Sequence, residues 1–348
     1  MIDLQARLSR PLATHPGRGD AIGFVGTDLP IEVLLASGRP FGHLPWRASG
    51  PTPWADRWLE SGFPGWARSI LEQWHAGAFD GLATVVFSRA DDASQRLYYY
   101  VRELQRRGQL RGPALQIFDL ALVPRASSLA HSATAVLDLA RALDVSGESL
   151  PAGIARANTL RESLQRLQQQ RVSQGPWFEW LTRSALWNDP AEWIDEIIVS
   201  TAASAPRVLL AGSVPPDERL HRAVEDAGAA IIAEAHGHAL GRLGPVLRPA
   251  PAESPERAIA RQLRAVCVGP RAFLARGAWL AALACETRAA AVILWLTRED
   301  EALAWHLPAL RQALAAAQVP TLALPAARWL ADDDTCARIT TFCKETFR

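Results

Sequence analysis

Cysteine is scarce in this 348-residue chain: there are four, Cys267, Cys285, Cys336 and Cys343, and residues 1–266 contain none. No CxxC pair is present, which excludes zinc ribbons and thioredoxin-like motifs. So few cysteines in so long a chain exclude a disulfide framework, and intracellular free thiols are the expectation. Lysine is scarcer, with Lys344 the only one, so almost all the basic charge is arginine. Neither sign of charge dominates: 37 basic against 36 acidic residues leave a net charge of +1. That balance argues against a nucleic-acid partner and against an acidic tail. No apolar run reaches the roughly 18 residues of a membrane span, and the first twenty or so residues lack the apolar segment of a secretory signal. The expectation is a cytoplasmic protein with no membrane partner. The P-loop, GxGxxG, GxSxG and HExxH patterns are all missing.

What is present is an ordinary globular composition, 49% hydrophobic and 21% charged, long enough for about two domains. Tryptophan is abundant, at thirteen. Trp54, Trp58, Trp66, Trp74, Trp177, Trp180, Trp187 and Trp193 lie among helical Leu and Ala, which reads as core or interface.

The stretch from Ala21 to Pro45 organises the chain. Ala21–Val25 is a short apolar strand bounded by Gly26. Asp28 is placed to cap a following helix, with Pro30 in its first turn. Leu29, Val33, Leu34 and Ser37 fall near one face, and Gly38 stops the helix. Such a strand-to-helix turn suits an anion or a polarised carbonyl, although a plain βαβ connection with no ligand is the commoner explanation. Strands then recur at 82–88 and 114–122 between helices at 55–76 (broken near Gly62 and Pro64), 91–107 and 128–143. A short helix is expected within 1–20. Residues 149–203 read as helical throughout, with Leu160, Leu164 and Leu167 at helical spacing.

Alternation resumes with strands at 207–213, 229–235, 290–296 and 321–325. Helices are expected at 215–228, 255–265, 272–288, 300–318 and 331–346. This argues for an α/β protein with parallel sheets and helices on both faces. The organisation is an N-terminal lobe (1–148), a helical connector (149–203) and a C-terminal lobe (204–348). The turns GTDLP and GSVPP echo each other, so the strand ends of two similar lobes are the expected ligand positions.

Candidate chemistry is thin. Asp91 and Asp92 read as a helix cap pair and only weakly as acids. Glu234 and His236 close a strand, and the His236-Gly237-His238 pair lacks a third metal ligand nearby in sequence. Cys285 reads as packed and inert, and Cys267 as a possible crevice thiol. The ligand-binding candidates are Gly26, Thr27, Glu32, Gly212 and Ser213.

The sequence GTDLPIEVLLASGRPF resembles the opening signature of the 2-hydroxyacyl-CoA dehydratase and benzoyl-CoA reductase subunits, through Pro30, Glu32, Ala36, Gly38 and Pro40. Four later segments fit that family in order: 79–101, the Asn158-x-x-Arg161 helix, 207–236 and 289–325. The resemblance implies two flavodoxin-like (Rossmann-like) lobes, acyl-CoA as ligand, and a dimer with a homologous cluster-bearing subunit or a second copy. It also implies, for cluster-bearing members, a [4Fe-4S] cluster on three cysteines. Those positions align here near Phe63, Ser88 (or Asp91) and Thr297, so no cofactor is expected in this chain. Three functions follow: a cluster-free structural or acyl-CoA-binding partner, an enzyme with repurposed acid/base chemistry using Asp91, Asp92, Glu234 or His236, or an interaction scaffold.

Overall fold

The computed structural model describes residues 19–169, 205–239, 243–269 and 271–348. Along the chain the regular elements begin with β1 (Ile22–Val25), α1 (Ile31–Ala36), β2 (Phe41–His43), α2 (Gly65–His75), β3 (Thr84–Ser88), α3 (Asp92–Arg106), β4 (Ala114–Phe118), α4 (Ala126–Ala142) and α5 (Leu150–Gln169). There follow β5 (Arg207–Gly212), α6 (Arg219–Glu225), β6 (Ala230–Ala235), α7 (Pro255–Val266), α8 (Arg276–Glu286), β7 (Ala291–Thr297), α9 (Glu301–Ala304), α10 (Leu307–Ala316), β8 (Thr321–Ala327) and α11 (Asp333–Thr346).

The strands form two four-stranded, all-parallel sheets, ordered β2-β1-β3-β4 and β6-β5-β7-β8. The two orders are the same, and each is the doubly wound, flavodoxin-like order with its switch point between the two central strands. The central strands are apolar except at their ends, as expected of strands with helices on both faces. In the second sheet Val208 and Leu210 pack with Leu220, Val224 and Ile339 on one face. Leu209 and Ala211 pack with Leu280, Leu294 and Leu314 on the other.

The chain divides into two compact units. Of the described residues, unit 1 takes 19–164, 243–269 and 271–273, and unit 2 takes 165–169, 205–239 and 274–348. Residues 243–273, which sequence order alone assigns to the second lobe, therefore pack in unit 1. The reason is polar as well as apolar. Asn158 donates to Leu247 O (2.9 Å) and accepts from Leu247 N (2.8 Å), Arg161 Nε donates to Leu243 O (2.7 Å), and Arg264 Nη2 donates to Val123 O (2.8 Å).

Several expected boundaries move. Asp28 does not cap α1: Pro30 is the N-cap and no side chain bonds to the helix start. Asp28 instead has φ +60°, which turns its carboxylate elsewhere. The helix expected at 215–228 starts at Arg219, because Pro215-Pro216 favour extended backbone before them and Asp217 accepts from the Arg219 N–H at 3.0 Å. The helix expected at 300–318 is two, α9 and α10, with Pro308 in the first turn of the second. Cys285 is exposed, not packed, since the buried face of α8 is Leu280 and Ala284 and Cys285 lies about 100° round from it. Trp66 and Trp74 are core residues, as expected. The expected helix within 1–20, the connector beyond Gln169, the side chain of Leu167, and Trp177, Trp180, Trp187 and Trp193 lie outside the described residues.

Candidate functional site

In unit 1 the carboxyl ends of β1 and β3 lie side by side, with Val25 opposite Phe87. Gly26 follows β1 at φ +87°, and a Cβ there would stand 2.5 Å from Ser94 Oγ, 2.8 Å from Asp91 Oδ2 and 2.9 Å from Ser88 Cβ. Only glycine fits both the conformation and the space. The amides expected to be free are partly used: the Gly26 N–H donates to His43 Nε2 at 3.3 Å. α1 has only six residues, a short helix with a small dipole.

The polar groups of this turn are buried. Thr27 Oγ1 donates to Asp28 Oδ2 (3.1 Å), and the Cys267 thiol donates to the same oxygen (3.3 Å). Cys267, expected as a crevice thiol, is buried at this carboxylate. Glu32 is ion-paired rather than open: Arg161 Nη2 donates to its Oε1 at 2.5 Å, and the two side chains are 2% and 3% exposed. Arg161 Nη1 also donates to Asn158 Oδ1 at 3.1 Å. The Pro-x-Glu and Asn-x-x-Arg signatures are thus two halves of one buried network. A small cavity of about 30 Å³ lies here, lined by Thr27, Asp28, Glu32, Arg161 and Gln262 among apolar neighbours.

Asp91 is the N-cap of α3, accepting from Ser94 N at 2.7 Å, and Asp92 is exposed beside Arg96 at 3.7 Å. Neither stands free as an acid. Ser88 Oγ accepts from Ala90 N at 3.0 Å. Phe63 is buried, with the Arg96 guanidinium 4.2 Å from its ring centroid and Tyr100 edge-on at 5.4 Å.

In unit 2 the equivalent turn is closed more tightly. Gly212 has φ +115°, and a Cβ would stand 2.1 Å from Trp295 O. The Ser213 N–H donates to Trp295 O at 2.7 Å, and Ser213 Oγ accepts from Thr297 N at 3.0 Å. Burial pushes the Asp300 carboxyl above its ordinary range, and Glu299 beside it adds to the rise against a hydrogen bond from Ser213.

Glu234 and His236 do meet, with a third partner that the sequence did not single out. Glu234 Oε1 lies 2.5 Å from His221 Nε2, and Oε2 lies 2.9 Å from His236 Nε2. All three are buried. His236 Nδ1 accepts from His238 N at 3.2 Å, so its proton sits on Nε2, facing the carboxylate. The signal for His221 was its place beside Leu220, Ala223 and Val224 on the buried face of α6. Among the described residues no group of three or more His, Cys, Asp or Glu is arranged to hold a metal ion. Among them, too, no helix is long and apolar enough to cross a membrane.

The family model for the 2-hydroxyglutaryl-CoA dehydratase D-component matches residues 27–342. No curated protein matches the chain. Among solved structures, the SBP FpvC from Pseudomonas aeruginosa in complex with Mn2+ is similar over 94% of this chain and 95% of its own, at 10% identity and a TM-score of 0.25. So low a score carries nothing about fold or function. The family match spans nearly the whole chain and takes in the Glu32–Arg161 network and every strand but β1: this chain belongs to the 2-hydroxyglutaryl-CoA dehydratase D-component family.

Proposed function

We propose that this dehydratase-like subunit carries no [4Fe-4S] cluster and acts in the cytoplasm as an acyl-CoA-binding partner of a cluster-bearing homologue, or of a second copy of itself. The observation that carries the reading is the donor set at the three positions where family cysteines align. Phe63 offers a phenyl ring packed under a guanidinium. The Ser88 hydroxyl already accepts from a backbone amide, and Asp91, its alternative, caps a helix. Thr297 gives its N–H to Ser213 Oγ. An iron–sulfur cluster needs thiolates, and these residues do not fit one.

Acyl-CoA binding is assigned to the strand-end turn of unit 1, chiefly Thr27, with Gly26 shaping its backbone; Gly212 and Ser213 shape the corresponding turn of unit 2. Glu32 supports from behind through Arg161. Anaerobic reconstitution with iron and sulfide, read by visible absorption, is expected to give no stoichiometric [4Fe-4S] signal. A stoichiometric signal overturns the reading. Thermal shift with acyl-CoAs is expected to raise the melting temperature, since a ligand at about 100 times its Kd adds about 2.7 kcal/mol. Thr27→Val is expected to reduce that shift while leaving the ligand-free melting temperature within a few degrees. No shift with any acyl-CoA, with the partner present, favours a scaffold.

The His221–Glu234–His236 cluster favours one second reading, acid/base catalysis in unit 2, because a carboxylate between two imidazoles can hold and pass a proton. Glu234→Gln would then abolish turnover of an acyl-CoA substrate without changing its binding.

A further inference from the structure

We propose that the outer edge of β4 in unit 1 pairs, antiparallel and about a twofold axis, with the same edge of a second copy of this chain. The proposal rests on the reading above only in taking a second copy as partner, and it holds whether or not the chain binds a thioester.

Each sheet has two outer strands. β2 is buried along its whole length, and β6 at all but one residue. β8 carries Pro325, which has no N–H, and the left-handed Ala326. Cover, proline and irregular backbone are ordinary protections of a sheet edge. β4 has none of them. It contains no proline, its register with β3 runs unbroken from Ala114 to Phe118, and Ala114 to Ile117 are exposed or half-buried. Among the described residues no strand pairs with its outer side. The ladder fixes which groups face outward. Ala114 N–H donates to Ala83 O (3.2 Å), and Phe118 O accepts from Arg89 N (3.0 Å). In a parallel ladder alternate residues bond to one neighbour, so Ala114, Gln116 and Phe118 face β3. The N–H and C=O groups of Leu115 and Ile117 therefore face away from the sheet.

This edge is complementary to itself. With the axis at Gln116, Leu115 lies opposite Ile117 of the second copy, and Ile117 opposite Leu115 of the second copy. Each pair exchanges both backbone bonds and sets apolar against apolar. Beyond them Pro113, which has no N–H, stands opposite Asp119 and ends the ladder. Arg111 is two residues further, about 7 Å along the strand, within reach of a long side chain. It is exposed and makes no ion pair among the described residues. Asp119 offers it an oxygen: Arg89 and His131 both bond to Oδ2, and Oδ1 takes no hydrogen bond among the described residues. The twofold axis makes this opposite-charge match at both ends. A parallel copy in register would set Arg111 beside Arg111 and Asp119 beside Asp119.

The test is sedimentation velocity of the full chain over a range of concentrations. Gln116 meets itself on the axis, and its side chain makes no hydrogen bond among the described residues, so Gln116→Glu and Gln116→Lys change the pairing without removing a side-chain bond inside the chain. The native chain is expected to show a concentration-dependent dimer. Each variant alone is expected to weaken it by at least about tenfold, because like charges meet directly opposite each other. An equal mixture of the two is expected to restore the dimer, since Glu then faces Lys. A native chain that stays monomeric at every concentration overturns the pairing. So does a dimer that both variants leave intact, or a pair of well-folded monomeric variants that fail to associate when mixed. Arg111→Glu, at an exposed side chain, keeps the test open if a charge at position 116 lowers the melting temperature: it is expected to weaken the dimer, and an unweakened dimer overturns the pairing. Acyl-CoA binding is read separately by the thermal shift above, and its failure leaves this edge untouched.

Discussion

Arg161→Ala would leave the Glu32 carboxylate charged and unpaired inside unit 1. Breaking a buried pair from one side costs about 3–5 kcal/mol, mostly the penalty of the orphaned charge. The expected outcome is a loss of that size in urea unfolding, with Asn158→Ala costing less because it removes bonds to Leu247 and one from Arg161 but leaves the Arg161–Glu32 pair intact. Asp300 gives the opposite sign. Burial raises its pKa in the folded state, so its contribution is fully present below the unfolded value near 3.8 and is lost as pH rises through the folded one. Asp300→Asn is therefore expected to raise the melting temperature at pH 7 to 8 and to change it little at pH 3. Glu32 shows where reading by residue stops. The sequence displays its motif, but its partner is 129 positions away, and nothing local distinguishes a ligand contact from a buried ion pair. Asp28 is similar: the cap reading was reasonable chemistry, and a left-handed backbone overrode it.

Between helices, α5 approaches α1 closely. A Cβ on Gly153 would stand 2.2 Å from Glu32 O and 2.9 Å from Ala36 Cβ. Gly153→Ala is expected to lower stability despite the better helix propensity of alanine, because the clash is with backbone and must force the helices apart. Circular dichroism melts of the single variant decide it. At the start of α7, Glu253 pairs with Arg261 and accepts from Ala250 N, and these bonds hold its carboxyl down to about 2. That stability is present above an unfolded pKa near 4.5 and is lost as pH falls toward 2. Arg261 is 44% exposed, so the pair is worth at most about 1 kcal/mol, and Glu253→Gln is expected to shift acid unfolding only slightly. Strands were the legible elements, because parallel strands covered on both faces are largely apolar runs, as in AVILWL (291–296). Helix starts were less so, since two prolines before α6 and one inside 300–318 act on backbone geometry that periodicity does not register.

For the whole molecule, the order of alternation carried the α/β class and the repeated sheet. It did not carry the path of the chain. Residues 243–273 come after the first two strands of unit 2 yet complete unit 1, held by Asn158, Arg161 and Asp28, contacts that no local pattern announces. A polypeptide ending at residue 204 is expected to bind a hydrophobic dye and to be digested rapidly by protease, since it lacks α7 and Cys267. The returning segment also limits how such a gene can be recombined. Neither half is a cassette: a crossover at the midpoint would deliver a lobe missing one wall, and a working chimera must trade residues 243–273 along with the first half.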